Sequence, residues 1–170
     1  LCGRTLMVHG GIPMDATIRE KLGDLSGLNE WLIRFQMMWS DPSPADVVPR
    51  KLQQSTYRFA FGRLQCLSFL QRLGCHTLIR GHEHLEAGHH RDFDDEQLLT
   101  MTVLSTGGHD NNDLPPTADL RRATPMALTL NVKGDLDEET LLEVWPIEYK
   151  RFNNPAENGF YANPPEIPFK

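Results

Sequence analysis

The chain has 170 residues, 39% hydrophobic and 24% charged, with 12 prolines and 13 glycines. That suffices for one domain with a real core, and it does not match a fibre, a repeat array or a wholly disordered chain. A net charge of −6, from 17 Lys and Arg against 23 Asp and Glu, argues against a dedicated nucleic-acid binder, whose affinity rests on neutralising phosphates.

Cys2, Cys66 and Cys75 form no CxxC pair. A disulfide framework or a thiolate zinc site is therefore not expected, and a reducing, cytoplasmic setting is. No apolar run reaches membrane-spanning length and no basic-then-apolar leader opens the chain, so no membrane partner is expected. The chain starts at Leu1 with a strand only a few residues on, which reads as an excerpt from a longer polypeptide.

In chain order, Thr5-Leu6-Met7-Val8 is a short apolar run that ends in His9 and is followed by Gly10, Gly11 and Pro13. Such a run, bounded by Gly and Pro, predicts a buried strand, and ligand sites in open α/β sheets lie at strand carboxyl ends. The glycines allow a sharp turn or a close backbone approach to a ligand. Asp15 can cap a short helix over 16–22, stopped by Gly23. Leu28, Trp31, Leu32, Phe35 and Met38 recur at helical spacing, which predicts a second helix with this stripe as its core face. Pro42 enforces its end, because the residue before a proline avoids helical geometry.

The alternating, aromatic segment 55–61 predicts a strand or an extended arm. Gly62 then opens a helix whose face is Cys66, Phe69, Leu70 and Leu73, and Gly74 ends it. Thr77-Leu78-Ile79-Arg80 is the next strand, and it delivers a second glycine-flanked histidine, His82. Two strands ending this way raise a metal site at a sheet edge, since neutral imidazole is the commonest metal ligand; the plainer alternative is a pair of neutral histidines closing turns.

Residues 83–96, rich in His and Asp, read as a solvated loop. A strand over 98–105 follows and ends near a third such histidine, His109. Arg121 and Arg122 could face a phosphate or lie simply exposed. Strands over 126–132 and 141–149, joined by Lys133-Gly134-Asp135, form an antiparallel edge pair, which makes the sheet mixed. Residues 1–149 form the domain, and 150–170, with Pro155, Pro164, Pro165 and Pro168, form an extended proline-rich tail.

The series Val8-His9-Gly10-Gly11, Trp39-Ser40-Asp41-Pro42, Phe59-Ala60-Phe61-Gly62, Ile79-Arg80-Gly81-His82-Glu83 and Leu104-Ser105-Thr106-Gly107 resembles, in order and spacing, the carboxyl-terminal half of the PPP-type metallophosphatases. These include the serine/threonine protein phosphatases and the bacterial symmetrical diadenosine tetraphosphatases. The resemblance covers roughly residues 5–132. It implies an α+β fold of the calcineurin-like kind, a four-layer α/β/β/α sandwich with mixed sheets, half of it in this chain.

By the same resemblance, His9 and His82 bind one of two divalent metal ions (Mn, Fe or Zn), and Gly10 and Arg58 lie at the substrate phosphate. Arg58 and His109 are the implied catalytic groups. The implied reaction is hydrolysis of phosphomonoesters by attack of a metal-bridging hydroxide, on a phosphorylated protein or a small phosphoester. Paired cations neutralise charge developing at phosphorus and lower the pKa of the water between them, while an arginine clamps the remaining phosphate oxygens.

Departures from the family are specific. Its amino-terminal motifs GDxHG, GDxxDRG and GNHE are absent, so a missing amino-terminal half is an expected partner, upstream in the same polypeptide or as a separate chain. Ser55 stands where the family has an arginine before the FG motif; Arg58 is the nearest substitute and Arg50 a weaker one. His109 stands near the place of a tyrosine in the loop over the active site. His84, two residues beyond His82, is expected to point away from the metal. The alternatives are a dinucleoside polyphosphate hydrolase and a non-catalytic, phosphatase-derived binding module; the Trp-Ser-Asp-Pro motif favours the protein phosphatase branch.

Overall fold

The computed structural model describes residues 4–14, 28–49, 59–109, 111, 114–131 and 141–146. The expectations for a helix over 16–22, for the 133–135 turn and for the tail over 150–170 lie outside these residues, as do Arg50, Ser55 and Arg58.

The central sheet has four strands: β1 (Thr5–Met7), β4 (Thr77–Arg80), β5 (His89–Asp94) and β6 (Leu99–Val103), in the order β1-β4-β6-β5. Leu6 faces Leu78 across the parallel β1–β4 pair, Ile79 faces Met101 across the parallel β4–β6 pair, and β5 closes the edge antiparallel to β6. In β4, Thr77, Leu78 and Arg80 are buried, and in β6 Thr100, Met101 and Thr102 are. Burial without alternation is what parallel strands covered on both faces require.

The buried threonine hydroxyls of β4 and β6 are paired, as most buried polar groups are, whereas buried Ser40 Oγ has no partner among the described residues. Thr100 Oγ1 lies 3.6 Å from Cys66 Sγ, Thr77 Oγ1 is 2.7 Å from His76 Nδ1, and Thr102 Oγ1 donates to Asp92 Oδ2 at 2.8 Å.

The expected helix after Gly62 is α2 (Arg63–Arg72). It buries Cys66, Phe69 and Leu70, three positions of one helical face, against Leu6, Leu78, Phe93 and Leu98. At its start the backbone N–H groups of Arg63 and Leu64 donate to Ala45 O and Asp46 O, at 3.1 and 2.9 Å. Gln65 Oε1 reaches back to Gly62 N at 2.8 Å, so donors orphaned at the helix end find partners. At its end Cys75 N donates to Leu70 O and Gly74 N to Gln71 O. With Gly74 at φ +68°, this is the left-handed termination that glycine makes cheap.

The helix α1 (Trp31–Trp39) forms where the periodicity predicts it, but with another face inward. Ile33 and Gln36 are its buried residues, and Met37 and Leu28 contact the core in part. Trp31, Leu32 and Met38, expected inside, are exposed by 69, 47 and 49%. Gln36 is inward because its Oε1 accepts from Met14 N at 3.0 Å. Helical periodicity could not choose the buried face because α1 has apolar residues on both sides. After it, β2 (Ser40–Pro42) and β3 (Phe59–Phe61) form a two-stranded parallel ladder with Asp41 opposite Ala60.

The stretch read as a solvated loop contains β5. It is an edge strand with a register shift between Arg91 and Phe93, and Phe93 is the side chain it buries, 6.4 Å from the Phe61 ring. A polar strand with one buried residue has no alternation to read, and a bulge breaks what remains. The strand at 98–105 is β6, and the last expected pair forms as β7 (Met126–Asn131) and β8 (Leu141–Pro146), antiparallel with Met126 opposite Pro146, but as a separate two-stranded sheet and not an edge of the central one, which is mixed because of β5. Among the described residues, no helix is long and apolar enough to cross a membrane.

Candidate functional site

Because β1 and β4 are parallel neighbours, their carboxyl ends open on the same sheet edge. Pairing continues past both strands, from Val8 N to Ile79 O at 3.0 Å and from Gly81 N to His9 O at 2.9 Å. This places the two histidines side by side: His9 Nε2 is 3.2 Å from His82 Nδ1, with ring centroids 5.1 Å apart and planes at 85°. His82 has φ +74°. A non-glycine residue held there costs about 1–3 kcal/mol, and such strain gathers at functional sites. The edge of the Trp39 ring closes one side of His82, centroids 5.3 Å apart, while His9 is exposed.

The two ring nitrogens stand at a spacing that is a hydrogen-bond distance and is also one that two ligands of a single ion would keep. Two nitrogens each about 2.0–2.1 Å from one ion stand roughly 2.9–3.4 Å apart for bond angles between a right angle and the tetrahedral angle, and the observed 3.2 Å falls within that span. Asp41 Oδ1 lies 3.8 Å from His82 Nε2, so a carboxylate backs the imidazole on the side away from His9, the usual neighbourhood of a ligating histidine. Among the described residues no group of three or more His, Cys, Asp or Glu side chains could hold an ion.

The glycines after His9 serve packing. Gly10 N and Gly11 N both donate to Met37 O, at 2.9 and 2.8 Å. A Cβ on Gly10 would stand 2.6 Å from the Met38 carbonyl carbon and oxygen. The loop bearing His9 is therefore seated on the carboxyl end of α1, and only hydrogen side chains permit that approach. Gly10, expected at the substrate, is buried, with its N–H committed to Met37 and its carbonyl to Arg80.

Arg80 is the residue that sequence reasoning passed over. It is 2% exposed and all five N–H donors have acceptors. Nε donates to Gly10 O; one terminal nitrogen donates to Glu83 and, at 2.9 Å, to Thr102 Oγ1; the other donates to Asp41 Oδ1 at 2.6 Å and Ser40 O at 3.4 Å. The signal was in the sequence: a charged residue ending an apolar run immediately before the glycine that precedes His82. Beyond Thr102 the network reaches Asp92, where burial pushes the carboxyl above its ordinary range against the Thr102 hydrogen bond, which lowers it.

The other expected site residues fall elsewhere. His109 is exposed, and its engaged atom is the carbonyl, which accepts from Arg121 at 2.6 Å. Arg121 also donates to Asn111 O and Leu114 O, at 2.7 and 2.8 Å, so it ties His109, Asn111 and Leu114 together. Arg122 and His84 border a groove of about 390 Å³ floored by Leu85, Leu120 and Ala123.

No family profile and no curated protein sequence matches the chain. Among solved structures it is similar to a protein serine/threonine phosphatase from Saccharomyces cerevisiae that has similarity to human phosphatase PP5. The TM-score is 0.51 at 18% identity, over 86% of this chain and 45% of that one. The chain therefore spans less than half the length of the phosphatase it resembles. What the two share is the fold, mixed α/β with a parallel-rich sheet.

Proposed function

We propose that this chain is the carboxyl-terminal half of a metal-dependent phosphoesterase that hydrolyses phosphomonoesters, a phosphoprotein phosphatase. The observation that carries the reading is the 3.2 Å approach of His9 Nε2 and His82 Nδ1 from the ends of adjacent parallel strands. The fold likeness to a serine/threonine phosphatase supports a phosphatase-like reading, and the Trp39-Ser40-Asp41-Pro42 motif favours the protein phosphatase branch over a dinucleoside polyphosphate hydrolase.

In this reading His9 and His82 would hold one of two divalent ions, Mn, Fe or Zn. When bound, such ions supply Lewis acidity toward phosphate oxygens and make a coordinated water acidic. The remaining ligands come from an amino-terminal half that completes the four-layer sandwich. Two neutral imidazoles leave the site more positive than carboxylates would, which suits a phosphate dianion. Trp39 keeps water from one side of His82, and exposed His9 leaves the other side open to substrate. Arg80 has no donor to spare for phosphate, so the clamping arginine is a different one, with Arg58 the candidate. A cytoplasmic setting suits the free, buried Cys66 and Cys75.

One observation favours a second reading, a non-catalytic binding module: no third potential ligand joins the pair among the described residues. Metal content and p-nitrophenyl phosphate turnover, with and without manganese, decide between the two. They are to be measured on this chain and on the whole product of its gene. About two ions per molecule and turnover are expected in the complete protein, with either His9→Ala or His82→Ala lowering turnover by about 10³-fold or more. Near-wild-type turnover in either variant, or a complete protein that is metal-free and inert, overturns the phosphatase reading.

A further inference from the structure

We propose that Arg80 is the positioning residue of the His9–His82 pair: one buried guanidinium ties the Gly10 carbonyl to Asp41, Glu83, Ser40 and Thr102, and so fixes the two imidazoles at their 3.2 Å separation. The proposal deepens the metal-ligand reading of the pair and rests on it.

The path of the chain makes the case. Arg80 stands two residues before His82 in sequence, and its Nε bond goes to the residue directly after His9. A single side chain thus bridges the two turns that carry the imidazoles. Its other bonds reach β2 through Asp41 and Ser40, and β6 through Thr102, so four segments meet on one planar group.

Charge makes the same point. A buried cation is tolerated where it is fully paired, and Asp41 and Glu83 supply the pairing. In return, Arg80 holds Asp41 Oδ1 at 2.6 Å while that oxygen sits 3.8 Å from His82 Nε2. The carboxylate is kept near the Nε2 side of the ring, opposite His9. The +74° φ at His82 needs such over-determination from its surroundings. The fork geometry excludes lysine as an equivalent, because one ammonium cannot reach acceptors spread over four segments in a plane.

The test is nuclear magnetic resonance on the full 170-residue chain with labelled histidine, together with a Zn²⁺ titration. In wild type a nuclear Overhauser effect between the rings of His9 and His82 is expected, and Zn²⁺ moves both rings together. In Arg80→Met that effect is expected to vanish and Zn²⁺ affinity to fall at least tenfold, with the signals of Leu70 and Met101 in the core unmoved. Arg80→Lys is expected to lie between the two.

A ring-to-ring effect at wild-type strength in folded Arg80→Met overturns the proposal. Should Arg80→Met not fold, Thr102→Val and Glu83→Met each remove one acceptor. Loss of ring contact in them supports the proposal, and unchanged contact in both overturns it. A complete gene product that has the ring contact and gives no Zn²⁺ response overturns the metal-ligand reading instead, while the ring contact in the variants still decides the role of Arg80.

Discussion

Gly10→Ala probes the seat of the site without touching a titratable group. The added Cβ would stand 2.6 Å from the Met38 carbonyl, where ordinary contact begins at 3.4 Å, so the His9 loop or the end of α1 must move by about 0.8 Å. The obstacle is backbone at both contacts, which leaves no flexible side chain to yield. Overpacking of this kind costs about 1–3 kcal/mol, and weakening the bonds from Gly10 N and Gly11 N to Met37 O adds about 1 kcal/mol each.

A total of about 3–5 kcal/mol is a large share of the roughly 5–15 kcal/mol that holds a domain together. With a urea dependence of about 1–3 kcal/mol/M, the unfolding midpoint is expected to fall by about 1 M or more. Urea melts of wild type and Gly10→Ala, followed by circular dichroism, measure it. The same displacement would part His9 from His82, so Zn²⁺ binding by the pair should weaken in the fraction that remains folded. A midpoint within about 0.3 M of wild type would refute the claim that the His9 loop is locked onto α1.

Two further outcomes concern groups away from the site. The hydrogen bond from Arg63, seconded by the backbone N–H of Gln97, holds the Asp95 carboxyl down to about 2. Its folded value lies below the unfolded value of about 3.9, so the stabilisation is complete above about pH 4 and is lost as pH falls toward 2. A carboxyl carbon titration should show that low midpoint, and a midpoint near 4 refutes the pairing. Burial pushes the Cys66 thiol up to about 12, leaving about one thiolate in ten thousand at pH 8. Iodoacetamide at that pH should therefore modify Cys66 only once the chain unfolds, and prompt labelling of the folded protein contradicts its place in the core.

Much of the site was legible because it is local. His9 and His82 each close an apolar run before a glycine, and that pattern alone marks a strand end that presents a side chain. The helix after Gly62, its Cys66, Phe69 and Leu70 face and its stop at Gly74 were equally open to reading, since spacing and a glycine terminator act within a few residues. Arg80 was missed because its importance comes from acceptors 3 to 70 positions away, and no window of sequence contains them all.

By itself, then, the sequence determined that β1, β4 and α1 form and that His9 and His82 follow the two strands, though not that Ser40–Pro42 is a strand, because hydrophobic period and backbone punctuation are properties of neighbouring residues. Tertiary structure alone decided that β1 and β4 are adjacent and parallel, which brings two histidines 73 positions apart to within 3.2 Å. It also decided that α1 turns Ile33 and Gln36 inward and leaves Trp31 and Met38 outside, against a stripe that pointed the other way. Both depend on what packs against an element, and a helix apolar on both faces takes its inward side from the loop and strands it meets.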